Sequence, residues 1–194
     1  MQKLSRTDLF SLEAYAEKRK DFRAQVLEHK QHRKVALGDH VTLLFEDRLT
    51  IHYQIQEMLR VERIFEASGI EEELAAYNPL IPDGSNLKAT LLIEYTDVDE
   101  RKRALAELKG LETRIWLHVS GFDPVRPIAD EDLERENEEK TSSVHFLRFE
   151  FTPEMIAAVK QGASLGAGVD HSYYQATVNA LPETVRQALV ADFD

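Results

Sequence analysis

The chain of 194 residues contains no cysteine. That one absence excludes disulfides, thiol catalysis, cysteine-held zinc and an iron–sulfur cluster ligated by this chain. No stretch approaches the ~18 to 20 apolar residues of a membrane helix. The opening MQKLSRTDLF has no apolar signal core, so export is not expected and a cytoplasmic location is. Neither an internal repeat nor a low-complexity tract is present. Positive charge is scarce: 24 Lys and Arg stand against 35 Asp and Glu, a formal net charge of −11. Such a balance favours solubility and argues against broad nucleic-acid binding on electrostatic grounds. With 43% hydrophobic residues, what remains is an ordinary globular chain able to bury one core.

The charge is unevenly placed. Residues 1–34 hold nine Lys and Arg against five Asp and Glu, while the rest holds 15 against 30. The basic N-terminal segment therefore has an acidic surface to dock on within its own chain, on another subunit or on an anionic partner. Residues 122–140 carry eight acids, three basic residues and few large apolar side chains, so composition predicts a mobile surface loop there.

Hydrophobic patterning supplies the elements. Ser11 caps a predicted helix to about His32, with Leu12, Tyr15, Phe22 and Val26 on one stripe. Gly38-Asp39 between two apolar runs reads as a tight hairpin. A second long helix is predicted over 49–67, with Ile51, Ile55, Met58, Leu59 and Phe65 inward and Gly69 as its stop, followed by a short acidic helix to Tyr77. Leu87–Tyr95 alternates with period two, Thr96 and Asp97 cap a helix ending at Gly110, and 113–119 alternates again. This β-α-β unit can pair its strands in parallel or with another strand between them. Val144–Phe151 is a further strand, Thr152-Pro153 starts a helix, 166–170 is a short strand or turn, and Pro182 opens the last helix. The expected fold is a single α+β domain over 1–194. It has a central, mainly antiparallel sheet of 41–46, 87–95, 112–119 and 144–151, one β-hairpin, several flanking helices, and the long helices on one face.

Three segments, Gln54–Arg63 (QIQEMLRVER), Lys140–Phe149 (KTSSVHFLRF) and Gly168–His171 (GVDH), resemble those of one bacterial family catalogued only as a domain of unknown function. The resemblance spans nearly the whole chain. It implies a redox or peroxide-defence setting, because genes of that family often lie beside a rubrerythrin and an iron–sulfur oxidoreductase related to heterodisulfide reductase. It supplies no catalytic residues. The implied role is a non-catalytic accessory or partner-binding protein, with the partner carrying the electrons.

Candidate binding residues are Gln54, Glu57, Arg60, Arg63, Lys140, His145, Arg148, Asp170 and His171. Gln54, Glu57, Arg60 and Arg63 suit either an anion site built by arginines or a structural ion-pair and amide network. Strand alternation puts His145 with Leu147 and Phe149, and Arg148 with Val144 and Phe146. Each face mixes apolar bulk with one basic group, as a pocket wall or partner contact does, although Arg148 could instead pair with an acid such as Glu94 or Glu57 and only tie sheet to helix.

The alternative function is a metal-dependent enzyme. His118, His145 and His171, with Glu57, Glu94 or Glu150, would suffice for iron, manganese or zinc if they converged. His29 and His32 share a helix face, but neighbouring cations favour a basic helix end over a metal site. Gly162-Ala-Ser164-Leu-Gly166 matches a serine-hydrolase elbow in letters only, since a helix precedes it where a strand is required. Gly166-Ala-Gly168 is a fragment of a dinucleotide fingerprint, with no third glycine opening a helix.

Overall fold

The computed structural model describes residues 2–194. Helix α1 (Leu12–Gln31) starts where the Ser11 hydroxyl accepts the Ala14 amide, and it leads into a hairpin of β1 (Lys34–Leu37) and β2 (Val41–Glu46). The hairpin loop has three residues, because Leu37 pairs with Val41 and Gly38 takes a φ of +72°. Asp47 then caps α2 (Arg48–Glu62) by accepting the amides of Leu49 and Thr50. The rest of the chain comprises α3 (Ala67–Tyr77), β3 (Asn86–Ile93), α4 (Val98–Glu107), β4 (Ile115–Val119), β5 (Ile128–Ala129), β6 (Val144–Glu150), α5 (Pro153–Lys160), β7 (Leu165–His171), β8 (Tyr174–Val178) and α6 (Glu183–Val190). The single α+β domain and its antiparallel pairing are as the patterning predicts.

The strands divide into two sheets rather than one. The first has the order β1-β2-β3-β6-β5 and the second β4-β7-β8, both antiparallel. Alternate residues of each enter a shared core: Leu43, Leu91 and Phe149 from the first, Leu117, Ala167 and Val169 from the second. Six further buried side chains, Leu4, Ile51, Ile55, Leu59, Leu74 and Ile81, form a separate cluster around α2 and α3. Helices α2 and α3 thus build a small core of their own. Residues 112–119 leave the predicted sheet because β7 is a full seven-residue strand that captures β4. Its glycines conceal it in the sequence, and their reason is packing: a Cβ on Gly168 would lie 2.2 Å from the Trp116 ring and 2.8 Å from the Ala176 carbonyl oxygen.

One other expectation needs correction. The helix over 49–67 ends at Glu62, where Arg63 adopts the left-handed conformation (φ 57°) as C-cap. Gly69 therefore lies inside α3, tucked against Ile64, and Phe65 points outward at 72% exposure. Over 122–140, where composition predicts a mobile loop, the segment makes polar contacts to its neighbours and buries no side chain fully. Residues Ile128 and Ala129 pair with Arg148 and Leu147, Glu136 accepts the Gly110 amide at 2.7 Å, and Lys109 donates to the Glu138 carbonyl at 3.0 Å.

Replacing Gly168 with alanine should lower the unfolding free energy by about 1 to 3 kcal/mol, since the added methyl overpacks against an aromatic ring and a backbone oxygen. Urea denaturation of Gly168→Ala checks this, and unchanged stability would contradict the close approach of β7 to Trp116.

Candidate functional site

The alternation of β6 sends His145 inward and Arg148 outward, and each meets a different set of partners. His145 is fully buried. Its Nδ1 lies 2.6 Å from Asp130 Oδ2, and its Nε2 lies 3.0 Å from the Thr141 hydroxyl and 3.1 Å from the Ser142 carbonyl. The other Asp130 oxygen accepts the Phe146 amide at 2.9 Å, and Arg135 closes on Asp130 at 3.2 Å. Asp130 reaches this position through a left-handed φ of 50°. Hydroxyl, imidazole and carboxylate stand in the order of a nucleophilic triad. The chemistry does not follow, because Thr141 is 2% exposed and His145 is fully buried, which leaves a substrate no way to reach the hydroxyl. The arrangement locks the acidic segment to β6. Glu112 lies nearby with one carboxylate oxygen buried and unpartnered, and burial pushes its carboxyl up, with Glu136 and Asp130 adding to the effect.

Arg148 faces the other way, on the outer face of the first sheet. There it stands directly opposite Lys88 of β3, with Ile128 of β5 on its other side. Its Nε and Nη2 donate to the two oxygens of Glu131, each at 2.7 Å, and its Nη1 donates to Glu150. Glu131 and Glu150 hold the guanidinium strongly in its charged form. The structural alternative foresaw a paired Arg148, but the acids are Glu131 and Glu150 rather than Glu94 or Glu57. Lys88 is half-buried and donates to the Pro79 carbonyl. Burial, then the neighbouring Arg148, lowers its pKa, while Asp83, Glu131 and Glu150 oppose that shift.

These side chains line a recess of about 650 Å³ between the sheet and the end of α3. Ala75, Ala76, Tyr77, Pro79 and Leu80 form one wall and Phe146 part of the other. Arg135 lies over the Phe146 ring at 4.6 Å and pairs with Asp132 at 2.5 Å, closing the side toward the acidic segment. Lys3 steadies the far wall through the carbonyls of Asn78 (2.9 Å) and Ile81 (2.6 Å). A second depression of about 660 Å³ beside His40, which stacks on Tyr95 at 3.9 Å, is more open to solvent and sits at the hairpin turn.

The remaining candidates do not join this site. Glu57 accepts from Tyr15 (2.7 Å), from Arg19 through two nitrogens (2.8 and 2.9 Å), and from Arg60 (3.2 and 3.3 Å), which draws its carboxyl down to about 2. That is the structural network, tying α1 to α2. Gln54 is half-buried on α2, and Arg60 and Arg63 are exposed. Lys140 is exposed, its amide donating to Asn137 at 2.9 Å. Asp170 holds Arg126 in a two-point pair at 2.9 and 2.5 Å. His171 Nε2 lies 3.0 Å from the Lys109 carbonyl, while Nδ1 accepts the Tyr173 amide at 3.3 Å. His118 is half-buried on β4, His29 pairs with Asp47, and Glu94 accepts from Thr42. Among the described residues no three His, Asp or Glu side chains are placed to hold a metal ion, so His118, His145 and His171 do not converge. Ser164 sits between α5 and β7, helix first and strand second, the reverse of an elbow. Asp130, Glu131 and Lys88 were missing from the sequence reading. The signal for Lys88 lay in the register opposite Arg148, which only the fold reveals.

The two faces of β6 should respond differently to truncation. His145→Ala opens a void in the core beside Asp130, which keeps Arg135 and the Phe146 amide, and should cost about 2 to 4 kcal/mol. Arg148→Ala, whose partners Glu131 and Glu150 are half exposed, should cost about 1 kcal/mol or less. Equal losses in urea denaturation would contradict this division.

Comparison with known proteins places the chain in a family. The chain superposes on a crystal structure of a protein of unknown function from Burkholderia pseudomallei with a TM-score of 0.95 and 51% identity over 100% of both chains. No curated protein matches it. The family model described as "Protein of unknown function (DUF3501)" matches residues 3–193, and the chain belongs to that family.

Proposed function

We propose that this is a non-catalytic accessory protein that acts by binding, that the recess beneath α3 is where it binds, and that it serves a cytoplasmic redox or peroxide-defence system. The observation that carries the binding reading is the pairing of Lys88 with Arg148 across two strands on the wall of that recess. Like charges placed opposite each other weaken a sheet. In a chain of net charge −11 they are also the scarcer kind. A recess with apolar walls and a few convergent charged groups is the form that binding sites take. The constellation nearest to a catalytic one, around His145, is closed and internally satisfied.

The setting rests on the family resemblance, which points to a rubrerythrin or an iron–sulfur oxidoreductase as partner. That partner would supply the redox centre, because a chain without cysteine offers no thiolate ligands for a cluster.

Mixing the purified protein with each of these two partners from the same organism, at low ionic strength, provides the test. Sedimentation velocity should show a complex with one of them, weakened about tenfold by Lys88→Ala with Arg148→Ala. Free sedimentation of all components would overturn the redox-partner reading.

A further inference from the structure

The recess already holds a carboxylate, and it is one of the protein's own. Glu131 meets Arg148 as two parallel N–H···O contacts of 2.7 Å, the fork geometry by which arginine recognises a carboxylate. The Glu131 side chain is 50% exposed and comes from a chain segment rather than from the sheet. The two-point geometry makes the pair stronger than a single contact, and its exposure leaves it open to competition from a carboxylate in solution. Arg148 also keeps Glu150, so it is not stranded when Glu131 leaves. Beside the guanidinium, the Lys88 ammonium is half-buried and has a backbone carbonyl as acceptor.

We propose that the recess takes a small amphipathic carboxylate and that Glu131 is the internal occupant such a ligand displaces. The proposal rests on the recess being the binding site, and is independent of which redox protein is the partner. The charge count of the lining selects a monoanion. Lys88, Arg135 and Arg148 stand against Asp83, Glu131 and Asp132, so exchanging one carboxylate for another preserves the balance, whereas a phosphate dianion adds an uncompensated charge beside those acids. The apolar part of the ligand has its place too. Tyr77, Leu80 and Phe146 offer a hydrocarbon surface adjoining the two cations, and about 650 Å³ lies within the range for small-molecule sites. Burial and Arg148 depress the Lys88 pKa, and a ligand carboxylate nearby would oppose that shift.

Octanoate, octan-1-ol and acetate are the probes, titrated into isotope-labelled full-length protein while the amides of Ala75, Phe146 and Leu147 are followed by NMR. Octanoate should shift these signals saturably, and octan-1-ol and acetate should each bind at least about tenfold more weakly, for want of the charge and of the chain respectively. Glu131→Gln, a substitution at an exposed side chain, should tighten octanoate about tenfold by removing the competitor, and Lys88→Met should weaken it by a similar factor. Octan-1-ol binding at these amides as tightly as octanoate would overturn the carboxylate assignment while leaving the recess a binding site. No shift with any probe would overturn both the assignment and the recess as a small-molecule site. Unchanged octanoate affinity in Glu131→Gln would overturn the displacement.

Discussion

A single buried guanidinium, that of Arg33, is the constraint on which the remaining geometry hangs. It is 2% exposed and lies at the junction of α1 and β1. Its five N–H groups face five acceptors: the carbonyls of Phe45 (3.0 Å), Glu46 (3.3 Å) and Ala188 (3.0 Å), and the carboxylates of Asp47 (3.4 Å) and Asp192. One side chain thereby joins the end of β2, the cap of α2 and the C-terminal end of α6. His29 adds a contact to Asp47 at 2.5 Å. A buried charge is tolerated only when it is paired and hydrogen-bonded, and removing one partner of such a pair costs about 3 to 5 kcal/mol. The node is therefore a strong constraint on geometry, whatever its net contribution to stability.

The recess follows from this geometry by a short chain of steps. The Asp47 cap fixes the direction in which α2 leaves the first sheet. The left-handed turn at Arg63 brings α3 back beside α2, where Leu74 joins Ile51, Ile55 and Leu59 in the smaller core. The turn after α3 is pinned by Lys3 and by Asn78, whose side chain bridges the backbone of Leu4. That places Tyr77, Pro79 and Leu80 over the outer face of the sheet, where the register has set Lys88 against Arg148. Asp130, held by His145 from the inner side of β6, delivers the next residue, Glu131, to Arg148 on the outer side. The two faces of β6 are thus coupled through one loop.

Much of this architecture was legible in the sequence, and the parts that were not share a physical cause. Period-two runs located β2, β3, β4 and β6, since each buries one face. Ser11, Asp97 and Thr152 marked helix starts because a cap is a local interaction. Alternation also put His145 and Arg148 on opposite faces of β6, without saying which face is buried. Alternation states which face a residue occupies, not which strand lies beside it, so the division into two sheets and the Lys88–Arg148 pairing were hidden. Gly166 and Gly168 disguised β7, because the residues that let Trp116 approach are the same ones that lower strand propensity. Arg33 looked like one more cation in a basic segment. Its role depends on Asp192, 159 residues away.

The most direct measurement of the central claim is the unfolding free energy against pH for the wild type and Asp192→Asn. Burial, reinforced by Asp47 and opposed by Arg33, pushes the Asp192 carboxyl up to about 6. An aspartate in the unfolded chain titrates at about 3.9, so the folded state holds the proton more tightly. The stability from that proton is fully present below the unfolded value and is lost as pH rises through about 6. Glu57, drawn down to about 2, acts in the opposite sense but at lower pH, and Glu112, pushed up by burial, is common to both proteins. The contribution of Asp192 should therefore fall between about pH 4 and 6, so the stability of the wild type relative to Asp192→Asn should decline across that range. Identical profiles for the two proteins would contradict a buried node in which one arginine is shared by two carboxylates.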